Sequence, residues 1–236
     1  MINKISPSVS DALQGIQDGA SIMIGGFGTA GIPNELIDGL IAHGAKDLTI
    51  INNNAGNGET GLAALLKTER VRKIICTYPR QVDSQVFDGL YRTGKLELEL
   101  VPQGTMSERI RAAGAGIGAF FVRTAYGTDL AKNTDGSLKE TRFLDGQHYV
   151  LETPIHADFA LIKAEAGDRW GNLVYRKTAR CFGPVMAMAA KITIATVHEV
   201  VELGTLDPET IVTPGIFVSK IVKVERTITQ GGGYKS

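Results

Sequence analysis

Short apolar runs separated by stretches of helical periodicity recur along most of this 236-residue chain, and that rhythm leaves few folds open. Residues 21–24, 48–51, 73–77, 158–164 and 192–197 read as strands, several of them near-continuous in Ile, Val, Leu and Ala. Such runs suit strands covered on both faces, because neither side has to meet water. Helical patterns fill 33–43, 60–67, 82–93, 105–113 and 183–190. The expected class is α/β: an open, mostly parallel sheet flanked by helices and joined by right-handed crossovers.

The rhythm breaks between about residues 123 and 153. Asp135-Gly136 and Asp145-Gly146 are hairpin-turn signals there, so an antiparallel β excursion is expected beside the main sheet. The segment Leu96-Glu97-Leu98-Glu99-Leu100 alternates strictly, which would turn one face of that strand to solvent or a partner. With no linker or internal repeat in view, a single domain over 1–230 is expected, followed by a flexible tail at 231–236.

The most specific stretch is Asp18-Gly-Ala-Ser-Ile-Met-Ile-Gly25-Gly26-Phe27-Gly28-Thr29-Ala30-Gly31-Ile32-Pro33. A short strand ends in a glycine loop and runs directly into a helix. Glycine lets backbone amides approach a ligand with no Cβ in the way, and the helix aims its unpaired amides at the same place. Pro33 suits the first helical turn, while Ile32 offers no capping oxygen, leaving those amides for a ligand, for Thr29 or for water. The other reading is a tight strand-to-helix turn that needs glycine for geometry alone.

Gly26-Phe27-Gly28-Thr29-Ala30-Gly31 also fits the dinucleotide fingerprint G-x-G-x-x-G. That fingerprint calls for an acidic residue about 20 positions on, at the end of the next strand. Here the strand ends Ile50-Ile51-Asn52-Asn53-Asn54, without a carboxylate, which argues against a nicotinamide cofactor. Composition removes other classes. Lys plus Arg equals Asp plus Glu, for a formal net charge of zero, and no basic block suggests nucleic acid. Cys76 and Cys181 lie far apart, as expected of free thiols in a reducing cytoplasm. There is no signal-peptide pattern and no run of bilayer length, so no membrane partner is expected. The four histidines lack metal-ligand spacing, so no metal is expected.

The glycine stretch resembles the signature of the family I coenzyme A-transferases. Further strings are similar to that family: Asn53-Asn54-Ala55-Gly56, Val101-Pro102-Gln103-Gly104-Thr105, Glu108-Arg109-Ile110-Arg111, Ala125-Tyr126-Gly127-Thr128, Asp158-Phe159-Ala160-Leu161 and Gly171-Asn172-Leu173-Val174-Tyr175-Arg176-Lys177-Thr178-Ala179-Arg180. The resemblance covers about residues 5 to 225 and looks closest to the A (alpha) subunits of 3-oxoadipate and other 3-oxoacid enzymes. It implies a ping-pong transfer of CoA from succinyl-CoA to a 3-oxo acid, 3-oxoadipate of the β-ketoadipate pathway or acetoacetate. The CoA thioester is then a substrate, with no tightly bound cofactor. In this family the attacking glutamate lies in a Ser-Glu-Asn-Gly motif of the B-type half. That motif is missing from these 236 residues, which implies a CoA-transferase B-type (beta) partner in a heterodimer or A2B2 assembly.

By resemblance, Gln103 contributes to an oxyanion hole at the subunit interface, and Gly25, Gly26, Phe27, Gly28, Thr29, Ala30, Gly31, Asn53 and Asn54 bind CoA or substrate. Thr105-Met106-Ser107-Glu108 has capping-box form and is expected to hold the Gln103 turn rigid. Gln103 capping its own loop is the plainer alternative. Of the three asparagines, at least one is expected to serve only the turn. Tyr78-Pro79-Arg80-Gln81 looks like the 3-oxoadipate enzymes, and Arg80 is expected to read the acceptor's distal carboxylate. An exposed arginine is the alternative. Glu59 reads as a helix-start charge, both cysteines as small apolar groups, and no Gly-x-Ser-x-Gly elbow suggests a serine hydrolase. A non-catalytic CoA- or anion-binding module and a sugar-phosphate isomerase on a similar fold are the competing classes.

Overall fold

Thirteen strands and six α-helices follow one another in the computed structural model, which describes residues 2–226. In chain order they are α1 (Val9–Leu13), β1 (Ser21–Ile24), α2 (Asn34–His43), β2 (Leu48–Ile51), α3 (Leu62–Lys67), β3 (Val71–Cys76), α4 (Gln85–Arg92) and β4 (Glu97–Leu100). Next come α5 (Gln103–Ala115), β5 (Phe120–Val122), β6 (Thr141–Leu144), β7 (Gln147–Glu152), β8 (Ala157–Lys163), β9 (Ala166–Asp168) and β10 (Leu173–Val174). The chain closes with α6 (Gly183–Ala189), β11 (Ala190–Val197), β12 (Glu199–Val201) and β13 (Lys220–Lys223). The expected tail at 231–236 lies outside the described residues.

Seven strands make the main sheet, in the order β13-β11-β8-β1-β2-β3-β4. Every neighbouring pair is parallel. The near-continuous apolar runs now have their reason. Ile22 and Ile24 of β1 point into one core with Leu36, Ile37 and Leu40 of α2. Met23 points the other way, into a core with Met106 and Ile110 of α5 and Met186 of α6. Side chains alternate along a strand, so a strand sandwiched between helices needs apolar residues at both parities. Counting outward from β1, the chain fills β2, β3 and β4 on one side, then β8, β11 and β13 on the other. That reversal puts a topological switch point at β1, where open α/β sheets bind ligands outside the carboxyl ends of their strands.

The antiparallel excursion is present as a three-stranded sheet, β5-β7-β6. Asp145 (φ 47) and Gly146 (φ 76) form its two-residue turn between β6 and β7, a left-handed pair that the Asp-Gly sequence favours. Asp135-Gly136 turns a shorter hairpin outside the named strands, closed by one antiparallel bridge between Lys132 and Leu138, with Asn133 N donating to Ser137 O at 2.8 Å and Lys139 N to Ala131 O at 3.0 Å. A second small sheet, β10-β9-β12, was not expected. Its strands have three residues or fewer, too short to show a period.

The alternation at 96–100 misleads in part. β4 is the edge strand, yet Glu99 is partly buried and Leu100 is 39% exposed. The cause is a chain of charges that ties the small sheet to this edge. Lys73 Nζ meets Glu99 at 2.7 Å, Arg109 Nη1 meets Glu99 at 3.3 Å and Arg109 Nε lies 3.7 Å from Glu152. Lys139 Nζ closes the chain on Glu152 at 2.6 Å. Among the described residues no helix is long and apolar enough to cross a membrane.

Candidate active site

Four successive strand ends, those of β1 to β4, frame one cleft of about 440 Å³. Its lining is Phe27 and Gly28 after β1, Asn53 and Asn54 after β2, Thr77, Tyr78 and Gln81 after β3, and Gln103 after β4. Among the described residues no charged side chain lines it.

The wall after β1 is built by the glycine loop. Phe27 N donates to Ala30 O at 2.9 Å and Ala30 N returns the bond to Phe27 O at 3.0 Å. Gly28 (φ 58) and Thr29 form the tip of this turn, with Gly28 in the left-handed position that a II′ turn requires. Gly25 N is spent on Leu161 O at 2.9 Å, leaving the tip amides of Gly28 and Thr29 without a backbone partner among the described residues. Gly31 is needed for a close approach. It has φ 71, and a Cβ there would collide with the carbonyl oxygen of Ala179. Thr29, Ala30 and Gly31 therefore shape the loop without lining the cleft, while Phe27, about half exposed, forms its apolar wall. The N-cap of α2 is Pro33 and makes no side-chain cap, as a residue without a polar side chain must.

The three asparagines divide their work. Asn52, fully buried, donates from Nδ2 to Ile24 O at 2.7 Å and accepts Asn54 N on Oδ1 at 2.8 Å. It staples the ends of β1 and β2 together and serves the turn only. Asn53 Oδ1 accepts two bonds of 2.7 Å, from Thr77 Oγ1 and from Gln103 Nε2. Asn54 Oδ1 accepts Gly56 N at 2.8 Å. Its Nδ2 is buried without a partner, although Asn54 is only 3% exposed and lines the cleft. A buried donor left unpaired costs roughly 1–3 kcal/mol, and Asn53 Nδ2 likewise makes no hydrogen bond among the described residues.

Gln103 is brought to the cleft as expected, but by a different device. It is the first residue of α5, whose N-cap is Pro102 without a side-chain bond. Thr105 lies inside the helix and its buried hydroxyl has no partner, so the expected Thr105–Glu108 capping box does not form. Glu108 instead pairs with Arg111 at 2.9 Å. The Asn53 bond fixes the direction of the Gln103 amide and leaves its second N–H for the cleft.

Arg80 is not among the lining residues. It is exposed and its Nε donates to Asp88 Oδ1 at 2.7 Å. Glu59 is exposed and paired with Lys67 at 3.0 Å. Burial pushes the Cys76 thiol up to about 12 and raises that of Cys181, so neither is poised as a thiolate. Sequence reasoning missed Thr77, Tyr78 and Gln81. The signal was there: all three follow an apolar strand at the same sheet edge as the asparagines.

The strand ends of a parallel sheet thus bring four side-chain amides, those of Asn53, Asn54, Gln81 and Gln103, to one cleft with an aromatic wall and no charged side chain among the described residues. The chain belongs to the Coenzyme A transferase family, whose profile matches residues 7–224. It is 68% identical over 224 residues to the A subunit of 3-oxoadipate CoA-transferase from Pseudomonas putida, covering 95% of each chain. The corresponding 3-oxoadipate CoA-transferase chain from Acinetobacter baylyi is 63% identical over 227 residues, covering 96% of this chain and 97% of its own. An acyl-CoA transferase structure from E. coli O157:H7 superposes with TM-score 0.81 at 22% identity, over 98% of this chain and 49% of that one. This chain thus spans about half the length of that larger protein and shares its fold.

Proposed function

We propose that this chain is the A-type half of a 3-oxoacid CoA-transferase that moves CoA from succinyl-CoA to 3-oxoadipate, with the attacking glutamate supplied by a B-type partner. The names of the two close relatives support the acceptor and the role as one half of the enzyme. The free thiols Cys76 and Cys181 suit a reducing, cytoplasmic setting.

The partner's carboxylate would attack the thioester carbonyl and expel CoA thiolate, leaving an acyl anhydride. The thiolate then adds to the glutamyl carbonyl and releases succinate, giving a glutamyl-CoA thioester. The same steps in reverse load the acceptor acid. Each addition puts negative charge on a carbonyl oxygen, and each is a covalent step that divides one hard transfer into easier ones. The side-chain amides of Gln103, Asn53 and Asn54 are the donors this chain offers to that charge. Amides serve well here, because they stabilise the oxyanion without a proton to lose. The glycine loop would keep the thioester against those donors through Phe27 and Gly28, with Gly25, Gly26, Thr29, Ala30 and Gly31 shaping the turn that presents them.

One observation carries this reading: the Gln103 amide, held by Asn53 in a cleft that no carboxylate lines among the described residues. The test is reconstitution. The chain is purified alone, then mixed with the product of a neighbouring reading frame carrying Ser-Glu-Asn-Gly, and succinyl-CoA-dependent transfer is assayed. Activity only in the mixture is expected. Full activity of the isolated chain, or CoA binding with no transfer in the mixture, defeats the proposal.

A further inference from the structure

Gln81 carries a carboxamide that the fold does not use. Its backbone is pinned twice by one hydroxyl: Gln81 N donates to Ser84 Oγ at 2.6 Å, and Ser84 Oγ donates to Gln81 O at 3.2 Å. The same loop is tied across to the asparagine loop, where Gly58 N donates to Asp83 O at 2.8 Å and Asp83 N donates to Asn57 Oδ1 at 2.9 Å. The side chain of Gln81 makes no hydrogen bond among the described residues, and it lines the cleft together with Asn54 and Gln103. Its neighbour Arg80 is turned outward to Asp88.

We infer that Gln81 is the specificity-determining residue of this site and reads the distal carboxylate of a dicarboxylic acyl group whose reacting carbonyl lies at Asn54 and Gln103. The inference rests on the functional reading above and names the contact that selects the acceptor. A carboxylate needs donors, and the Gln81 Nε2 group supplies two on a loop that is already ordered, so little entropy is lost on binding. Phe27 and Tyr78 provide apolar wall for the methylenes between the two ends of such an acid. A neutral amide also holds the anion without a full ion pair, which suits an acid that must leave as readily as it enters.

The experiment uses the assembled enzyme, both polypeptides together, and two acceptors of equal length, 3-oxoadipate and 3-oxohexanoate, which lacks the distal carboxylate. Selectivity is the ratio of their kcat/KM values, taken within each variant so that the fraction of folded enzyme cancels. Gln81→Leu should lower that ratio about tenfold or more, the scale of a lost hydrogen bond to a charged group. The loss should sit in the KM for 3-oxoadipate, and Gln81→Glu, which adds repulsion, should lower the ratio further. Arg80→Ala should leave the ratio close to wild type. Unchanged selectivity in both Gln81 variants overturns the inference, as does a collapse confined to Arg80→Ala. A wild-type enzyme that prefers 3-oxohexanoate instead defeats the acceptor assignment itself, a result separable from the first.

Discussion

Asn53 shows how a single side chain can be structural and functional at once. Its Oδ1 takes Thr77 Oγ1 and Gln103 Nε2 together, while its backbone carbonyl takes Thr77 N and Tyr78 N, both at 3.1 Å. It joins the ends of β2, β3 and α5 at one point and aims the Gln103 amide. Replacing Gln103 by Leu should therefore lower kcat by about 10²–10³-fold, the usual loss for one oxyanion donor. KM should change little, because the contact strengthens only as charge develops. Asn53→Ala should give a smaller kcat loss in steady-state assays of the assembled enzyme, since it frees Gln103 without removing it. An equal loss in KM alone would place Gln103 in ground-state binding instead. The amide residues and their strand-end location were legible in the sequence. That Asn52 spends its donor while Asn53 and Asn54 keep theirs was not, because it depends on the Asn52 Nδ2 bond to Ile24 O, which forms only once β1 and β2 lie side by side.

At the scale of elements, the five inner strands of the main sheet were readable because burial on both faces leaves its mark on composition, whereas the edge strand β13 was not expected. The sheet β10-β9-β12 was not, since its strands are too short to show a period and β12 joins β9 from far along the chain. The join of β1 to β8 also links strands far apart in the chain. Asp158 Oδ2 accepts Ser21 N at 3.0 Å and Ser21 Oγ at 2.7 Å, while Asp158 N donates back to Ser21 Oγ at 2.9 Å. Lys191 Nζ lies 2.8 Å from Asp158 Oδ1. The Lys191 hydrogen bond, then the two from Ser21, hold the Asp158 carboxyl down to about 2. Its folded pKa is below the unfolded value of about 4, so the bonds stabilise fully above about pH 4 and are lost as pH falls through about 2. Asp158→Asn should cost about 1 kcal/mol at neutral pH, a modest figure because the carboxylate is more than a third exposed and partly screened. Denaturant melts of wild type and variant should converge as the pH approaches 2. A gap that persists there would mean that the hydroxyl and amide geometry, rather than the charge, sets the join.

The whole molecule is organised around what it lacks. Several of its acids hold structure: Glu99 and Glu152 in the chain of charges at the β4 edge, Asp158 at the β1–β8 join, Asp88 on Arg80 and Glu59 on Lys67. None lines the cleft. The proposed ping-pong transfer stores CoA on a carboxylate between its two halves, and the proposal places that carboxylate on the partner polypeptide. The assembled enzyme, incubated with succinyl-CoA alone, should accumulate the glutamyl-CoA thioester. Borohydride reduces a thioester to the alcohol and fixes the site, so mass spectrometry of separated chains should find the modified glutamate in the partner and this chain unaltered. Gln103→Leu in this chain should slow formation of that product on its partner, in step with the fall in kcat. A modified Asp or Glu within these 236 residues would return the nucleophile to this chain, and a cleft without a carboxylate could not accommodate that result.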